Sequence, residues 1–152
     1  SLNRLVMANI ILEELLNMKL DNFKYFETIH NYINFDDNII RKGAISAYKD
    51  ELLLIPINMR DGSILAKGKG NEDWNYSAPH GAGRIMSRRQ ASEELDLKEF
   101  KDDMKDIYTT SVNKRTLDES PKAYNTLDYI LENISDTVDV IDILKPIYNY
   151  KA

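Results

Sequence analysis

The sequence contains two histidines, His30 and His80, and no cysteine, so imidazole is its best candidate for a nucleophile or metal ligand. His80 is followed by Gly81, Ala82 and Gly83, which leave backbone N–H groups accessible, and a helix is expected to begin directly behind them. The amino terminus of a helix binds phosphate oxygens. This spacing predicts an anion site beside a possible nucleophile, with a glycine-rich turn that only joins loop to helix as the alternative.

Three arginines follow closely behind this glycine-rich segment. Arg84, Arg88 and Arg89 lie in a stretch, residues 80–90, that contains no acidic residue. Guanidinium groups bind phosphate through paired hydrogen bonds, so the stretch could form a basic patch. The plainer interpretation is a solvated helix face.

Several other polar residues allow two interpretations each. His30, in the segment IHNYI, could be functional or could be a hydrogen-bonded strand residue beside Asn31. Asn58 and Ser63 belong to a polar turn between two apolar segments, which could meet a phosphate or be an ordinary hairpin turn. Lys151 could contact a ligand or belong to a frayed end.

The composition is typical of a globular chain. The 152 residues are 43% hydrophobic and 30% charged, which suits a single domain, residues 1–152, with its own core. The net charge of −5 argues against a strongly basic nucleic-acid binder but allows a local basic patch. No apolar run approaches the roughly 20 residues that cross a bilayer, and no signal segment is visible, so the cytoplasm is the expected location.

Hydrophobic spacing and turn residues predict both helices and strands. Helices are expected in residues 5–16, 85–95, 96–105 and 124–134, with Asp96 and the T-x-x-E pattern of Thr116 and Glu119 as start signals. Short strands and turns are expected in residues 25–32, 39–47 and 51–58, another strand in residues 63–67, and a strand or extended arm from residue 138 onwards. Residues 68–83 should form a long ordered loop, which is most common at functional sites.

The segment NYSAPHGAGRIMSRRQA resembles the HGAGR and MSR signature of the RtcB family. Members of that family are GTP-dependent ligases that join RNA ends carrying a 3′-phosphate or 2′,3′-cyclic phosphate to a 5′-hydroxyl. Further blocks follow the family order over nearly the whole chain: LNR, IHNYI, IIRKGAISA, IPINMRDGS, TLDESPKAY and IYNYKA. The resemblance implies an α+β fold, a mixed sheet of short strands with helices packed on it, that corresponds to the carboxy-terminal portion of an RtcB ligase.

The resemblance also implies roles for individual residues. His80 would attack GTP and carry GMP as a phosphoramidate, and His30 would be a ligand of manganese (Mn2+). Lys151 would contact the guanine. The other positions implied in GTP binding are Asn31, Pro56, Ile57, Asn58, Met59, Ser63, Gly81, Ala82 and Gly83.

The metal centre implied by the resemblance is incomplete in this sequence. Two divalent ions need about three protein ligands each, and the family takes the others, an aspartate, a cysteine and two histidines, from sequence that should precede residue 1. We therefore expect a truncated ligase that is inactive alone and exposes apolar surface that favours self-association. The alternatives are a non-catalytic nucleotide- or RNA-binding module that kept the phosphate loop, and an unrelated phosphate-binding protein with a coincidental HGAGR.

Overall fold

The computed structural model describes residues 2–151, which contain both helices and short strands. The helices are α1 (Leu2–Leu16), α2 (Arg88–Glu94), α3 (Leu97–Asp103) and α4 (Leu127–Asn133). The strands are β1 (Tyr32–Asn34), β2 (Ile39–Arg41), β3 (Ala44–Ser46), β4 (Leu52–Asn58), β5 (Gly62–Gly68), β6 (Ser77–Pro79), β7 (Tyr108–Thr109), β8 (Val138–Leu144) and β9 (Tyr148–Asn149). Short 3-10 segments lie at Leu20–Asn22, Glu72–Trp74, Lys114–Glu119 and Pro121–Ala123. This arrangement confirms the predicted α+β class.

A three-stranded antiparallel sheet, in the order β4-β5-β8, carries the core. β4 and β5 form a hairpin through residues 59–61. Leu53, Ile55 and Ile57 alternate along β4 and are buried, which is the period of a strand with one face in the core. Ile64 of β5 packs into the same apolar cluster.

Two helices pack against this frame through buried apolar side chains. Ile130 of α4 belongs to the cluster formed by β4 and β5. Phe100 of α3 packs with Met59 and Leu117 in a second cluster. Burial of each such side chain contributes roughly 2 kcal/mol. Because Met59 lies in the β4–β5 turn, α3 holds that turn in place.

Two smaller strand pairs bring distant segments to the same region. β3 pairs with β6 antiparallel, with Ala44 opposite Pro79. His80, the residue after β6, therefore lies beside the turn that precedes β3. β7 pairs in parallel with β9, with Tyr108 opposite Tyr148, which holds the end of the chain.

Two predictions on extended segments are only partly confirmed. Of the segment predicted as extended over residues 25–32, only its last residue, Tyr32, lies in a strand, because β1 spans Tyr32–Asn34. Before it, the segment contacts the sheet through a side chain, because the Thr28 hydroxyl accepts a hydrogen bond from Leu54 N. The loop predicted over residues 68–83 is ordered as expected, but it contains a 3-10 turn and the whole of β6.

Two predicted helix starts are wrong, although the helices exist. α2 begins at Arg88 and not at residue 85, because Ser87 caps it through a hydrogen bond from Gln90 N. α4 is capped by Thr126, whereas Thr116 lies inside a 3-10 segment. The cap predicted at Asp96 is confirmed, since its carboxylate accepts from the first backbone N–H groups of α3.

α1 contributes little to the core, since none of its residues is fully buried. Its exposed apolar side chains are Leu2, Val6, Met7, Ile10, Ile11, Leu15 and Leu16. Within residues 2–151, no helix combines the length and apolar character needed to cross a membrane.

Candidate functional site

His80 is oriented by a backbone carbonyl. Its Nδ1 lies 2.6 Å from the carbonyl oxygen of Gly43. A carbonyl oxygen only accepts hydrogen bonds, so Nδ1 carries the proton and donates it. The lone pair of the neutral ring is then on Nε2. His80 is exposed and lines an open cleft that extends toward Lys151. The lone pair of Nε2 can therefore serve as a nucleophile.

Gly43 is itself held in place by Asn31. The Gly43 N–H donates to Asn31 Oδ1 at 2.8 Å. Gly43 has a φ of +71°, a left-handed conformation that glycine adopts without strain. Asn31 also has a positive φ, 59°, in a region that asparagine tolerates better than most residues. The orientation of His80 thus depends on two successive hydrogen bonds to uncharged groups.

The segment behind His80 is fixed by its neighbours. The Ala82 N–H donates to the Pro56 carbonyl at 3.1 Å, and Asn125 Nδ2 donates to the Ala82 carbonyl at 2.8 Å. A Cβ on Gly81 would come within 3.1 Å of the Pro56 oxygen. The predicted helix amino terminus directly behind the glycines is wrong, because α2 starts only at Arg88.

The three arginines that follow are engaged by protein groups. Arg84 donates to the Tyr124 hydroxyl at 2.8 Å and to the Asp118 carbonyl. Arg88 contacts the Asp118 carboxylate at 2.7 Å. Arg89 pairs with a carboxylate one helical turn away and is highly exposed. Of the three, Arg89 therefore matches the interpretation as a solvated helix face, whereas Arg84 and Arg88 line the cleft with their charges already paired.

His30 lies next to His80. The centroids of the two rings are 5.0 Å apart, with an angle of 49° between the ring planes. Within residues 2–151, no group of three or more His, Cys, Asp or Glu side chains is arranged to hold a metal ion. A protein metal site normally provides about three ligands or more. The described residues therefore do not fit a manganese site by themselves, and His30 would supply one ligand.

An open cleft of about 1420 Å³ runs from the two histidines to the end of the chain. Small-molecule sites usually measure about 300–1000 Å³, so a nucleotide fits. The cleft is lined by most of the residues implied by the resemblance: His30, Pro56, Ile57, Asn58, Met59, Ser63, His80, Gly81, Ala82, Gly83 and Lys151. Asn31 is the exception, and it reaches His80 through Gly43.

Asn58 holds the β4–β5 turn together. Its Oδ1 accepts from the backbone N–H groups of Arg60 and Asp61, each at 2.9 Å, and its Nδ2 donates to the Asp61 carboxylate at 2.8 Å. Burial raises the pKa of Asp61, but hydrogen bonds from Arg60 and Asn58 and the charge of Arg60 outweigh it, so the pKa is lowered. The side chain of Asn58 is thus largely committed to the turn that frames the cleft.

Lys151 is held by several contacts and does not belong to a frayed end, which was one of the two interpretations of this residue. Its N–H donates to Ser111 Oγ at 2.7 Å, and its carbonyl accepts from the same hydroxyl at 3.1 Å. Ser111 is buried. The Lys151 ammonium lies 3.0 Å from the Glu119 carboxylate. Backbone and side chain are therefore both held.

Sequence reasoning did not identify Glu119 and Tyr124, which line the same cleft. The Tyr124 hydroxyl donates to Glu119 at 2.9 Å. Burial raises the pKa of Glu119, but hydrogen bonds from Lys151 and Tyr124 and the charges of Lys151 and Arg88 outweigh it, so the pKa is lowered. Burial and the hydrogen bond to Glu119 raise the pKa of Tyr124. Both residues belong to the sequence block TLDESPKAY, which could have indicated their place in the site. Its T-x-x-E pattern instead indicated a helix cap.

A histidine with a free Nε2 in a cleft of this size suits a protein that handles phosphates or nucleotides. Comparison with known families is more specific. The model of the family described as tRNA-splicing ligase RtcB matches residues 1–152. The chain therefore belongs to the RtcB family.

Individual relatives agree with this assignment. An RNA-splicing ligase RtcB1 from Escherichia coli is 32% identical over 168 residues, which cover 100% of this chain and 40% of the relative. An RNA-splicing ligase RtcB from another Escherichia coli strain is 30% identical, with the same coverage. A tRNA-splicing ligase RtcB from Aeropyrum pernix is 35% identical over 112 residues, 62% of this chain and 23% of the relative. The chain thus spans 40% of the length of the two Escherichia coli relatives.

Proposed function

We propose that this chain carries the nucleotide-accepting part of a GTP-dependent RNA ligase. The His80 Nε2 lone pair attacks the α-phosphorus of GTP, a P–N bond forms, and pyrophosphate leaves. GMP then passes to the 3′-phosphate of an RNA end, which restores the neutral histidine. Attack by a 5′-hydroxyl on the activated phosphate joins the two ends and releases GMP. RNA ends with a 3′-phosphate or 2′,3′-cyclic phosphate and RNA ends with a 5′-hydroxyl are the proposed substrates; at a cyclic end, water first breaks the P–O2′ bond and gives the 3′-phosphate and a 2′-hydroxyl.

The observation that carries this proposal is the hydrogen bond from His80 Nδ1 to the Gly43 carbonyl at 2.6 Å. Attack on phosphorus requires an imidazole nitrogen with a lone pair. The bond fixes the tautomer that has this lone pair on Nε2, before any ligand binds. Preorganisation of this kind removes an ordering cost from the reaction.

The GTP site that we propose follows the cleft from His80 to Lys151. Pro56, Ile57, Asn58, Met59 and Ser63 lie along the β4–β5 hairpin and would meet the phosphates and sugar, together with Gly81, Ala82 and Gly83. Lys151 would meet the guanine. Asn31 supports His80 through Gly43.

Manganese is the proposed metal ion, and His30 is the residue of this chain that we propose as its ligand. When bound, such an ion would neutralise phosphate charge. His30 would be one ligand, and the described residues provide no set of three that could hold the ion. None of the proposed chemical steps therefore depends on the position of a metal ion.

The experiment that tests the proposal is labelling with GTP that carries radioactive α-phosphate, in the presence of manganese. The chain is incubated alone and together with a fragment that supplies the remaining length of an Escherichia coli relative. We expect label in the mixture and little in the chain alone, and none in either case for His80→Ala. Phosphoramidates are labile to acid and stable to alkali, so loss of the label in acid identifies the bond.

Matched controls make the result specific. Arg89→Ala alters an exposed ion pair outside the cleft and should leave labelling unchanged. Label that persists in His80→Ala would contradict the assignment of the nucleophile. Absence of label in every mixture with the wild-type chain would contradict the proposed reaction.

The alternative function is a non-catalytic nucleotide- or RNA-binding module. The observation that favours it is the lack of a three-ligand metal group within residues 2–151. It predicts RNA binding that weakens with salt, since phosphate contacts release counterions, and no label on His80. The labelling experiment therefore separates the two functions.

A further inference from the structure

We propose that Glu119 is a positioning residue at the purine end of the cleft, where it holds Lys151 so that this lysine selects guanine over adenine. The inference rests on the proposed function, because it takes Lys151 as the residue that meets the base. Sequence spacing indicated Glu119 only as part of a helix start signal, and the resemblance implied no role for it in the site.

The Glu119 carboxylate lies close to four other side chains of the cleft, those of Arg84, Arg88, Tyr124 and Lys151. Its Oε2 accepts from Lys151 Nζ at 3.0 Å and from the Tyr124 hydroxyl at 2.9 Å. Its Oε1 accepts from Arg88 Nη1 at 3.0 Å, and Arg84 Nη1 lies 3.9 Å away. The side chain is 13% exposed. Because protein donors already occupy both oxygens, Glu119 has little capacity left for a ligand and acts through its partners.

Lys151 would be poorly ordered without this contact. Its backbone is fixed by Ser111, but the lysine side chain has four rotatable bonds and loses much rotamer freedom when a ligand orders it. The ion pair with Glu119 orders the side chain beforehand, which lowers the cost of binding. The lowered pKa of Glu119 keeps the carboxylate ionised at neutral pH, so the pair persists there.

The chemistry of the ordered lysine favours guanine. An ammonium group has three N–H donors, and one of those on Lys151 is used by Glu119. The remaining donors suit guanine, whose O6 and N7 are neighbouring acceptors. Adenine has an acceptor at N7 but an amino donor at N6, so donor would face donor. A lysine held in one position therefore discriminates between the bases, whereas a mobile lysine could avoid the amino group.

The test is equilibrium dialysis of the 152-residue chain with GTP, ITP and ATP. ITP keeps O6 and N7 but lacks the 2-amino group of guanine. We expect the wild type to prefer GTP and ITP over ATP. In Glu119→Gln the ratio of GTP to ATP affinity should fall by about tenfold, the scale of one hydrogen bond to a charged group. The affinity for ITP should fall with that for GTP.

Three variants make the test specific. Glu93→Gln removes an exposed carboxylate, 2.8 Å from Arg89 and outside the cleft, and should leave the ratio unchanged. In a Lys151→Met background, Glu119→Gln should have no further effect on the ratio, because the two residues act as one unit. Glu119→Asp keeps the charge and should retain part of the preference, and thermal unfolding confirms that each variant is folded.

The outcomes distinguish this inference from the proposed function. A folded Glu119→Gln variant that keeps the wild-type ratio overturns the inference, and so does an equal loss of GTP and ATP affinity, which would indicate a purely structural role. A wild-type chain that binds GTP and ATP equally also overturns it. A wild-type chain that binds none of the nucleotides contradicts the proposed function itself.

Discussion

At the scale of single residues, the orientation of His80 is set without a charged partner. The Gly43 carbonyl accepts the Nδ1 proton, and Asn31 in turn accepts from the Gly43 N–H. A carbonyl fixes the tautomer of the ring without placing a negative charge beside it. This matters for the proposed reaction, because the incoming triphosphate is itself strongly negative.

Substitution of Asn31 by alanine should loosen His80 while leaving the residues that line the cleft unchanged. The variant removes the acceptor for the Gly43 N–H, a loss of about 1 kcal/mol. With Gly43 less constrained, the share of His80 with the proton on Nδ1 should fall. The ¹⁵N chemical shifts of the His80 ring report the tautomer directly.

Two further substitutions serve as controls for the prediction on Asn31→Ala. Asn31→Asp keeps an oxygen acceptor and should retain most of the Nδ1–H form. Asn38→Ala removes an asparagine with a similar left-handed φ of 58°, in the β1–β2 turn. If Asn38→Ala shifted the His80 tautomer as much as Asn31→Ala, the hydrogen bond to Gly43 would not be the cause.

At the scale of elements, the sheet that frames the cleft requires a glycine at position 62, where β5 pairs with β8. Gly62 has a φ of +82°, and a Cβ there would lie 2.0 Å from the Leu144 carbonyl of β8. Gly43 also has a positive φ, but its Cβ would be 3.6 Å from the nearest atom. A left-handed backbone alone costs a non-glycine residue about 1–2 kcal/mol. Gly62→Ala therefore combines this strain with a clash that separates β8 from β5.

We expect Gly62→Ala to lose clearly more unfolding free energy than Gly43→Ala, which should lose about 1–2 kcal/mol. Urea unfolding of both variants measures the difference. Equal losses would show that β8 can move away from Gly62 without cost, contrary to the pairing of Ser63 with Leu144.

The β4–β5 turn should also make stability depend on pH. The pKa of Asp61 lies below its ordinary value of 3.8, so the folded state favours the ionised carboxylate. Its stabilising contribution is complete above the ordinary value and is lost as the pH falls through the lowered one. Wild-type stability should thus decline below about pH 4.

Asp61→Asn should be less stable than the wild type at pH 7, and its stability should change less between pH 4 and lower values, as measured by urea unfolding at each pH. Asp106→Asn, at an exposed position, serves as the control and should keep the wild-type pH dependence. An unchanged pH profile in Asp61→Asn would contradict the argument.

Predictions from the sequence succeeded where the signal is local. Asp96 caps α3 as expected, because the cap needs only the next few residues. The start of α2 was wrong partly for a non-local reason, since the N–H groups of Ile85 and Met86 donate to the Ala123 carbonyl, which holds this segment against a distant part of the chain before Ser87 caps the helix. Glu119 was missed for the same reason, because its partner Lys151 lies far along the chain.

At the scale of the whole molecule, the polar cleft and an exposed apolar helix face lie side by side. Leu5 and Ala8 of α1 line the cleft, whereas Val6 and Ile10 point away and are exposed. Val6 and Ile10 are four residues apart and so lie on one helix face, as do Met7 and Ile11. Contiguous apolar surface of this kind promotes association in water.

We expect the chain to self-associate through this face of α1 in a concentration-dependent way. Light scattering after size exclusion, over a range of concentrations, should give masses that rise above the monomer. The double substitution Val6→Gln and Ile10→Gln keeps good helix formers on α1 but removes apolar area, and should shift the chain toward monomer. Glu14→Gln changes an exposed polar residue of the same helix and should not. A wild-type mass that stays monomeric at all concentrations would mean that the exposed apolar side chains of α1 are too few, or too well separated, to hold two copies together.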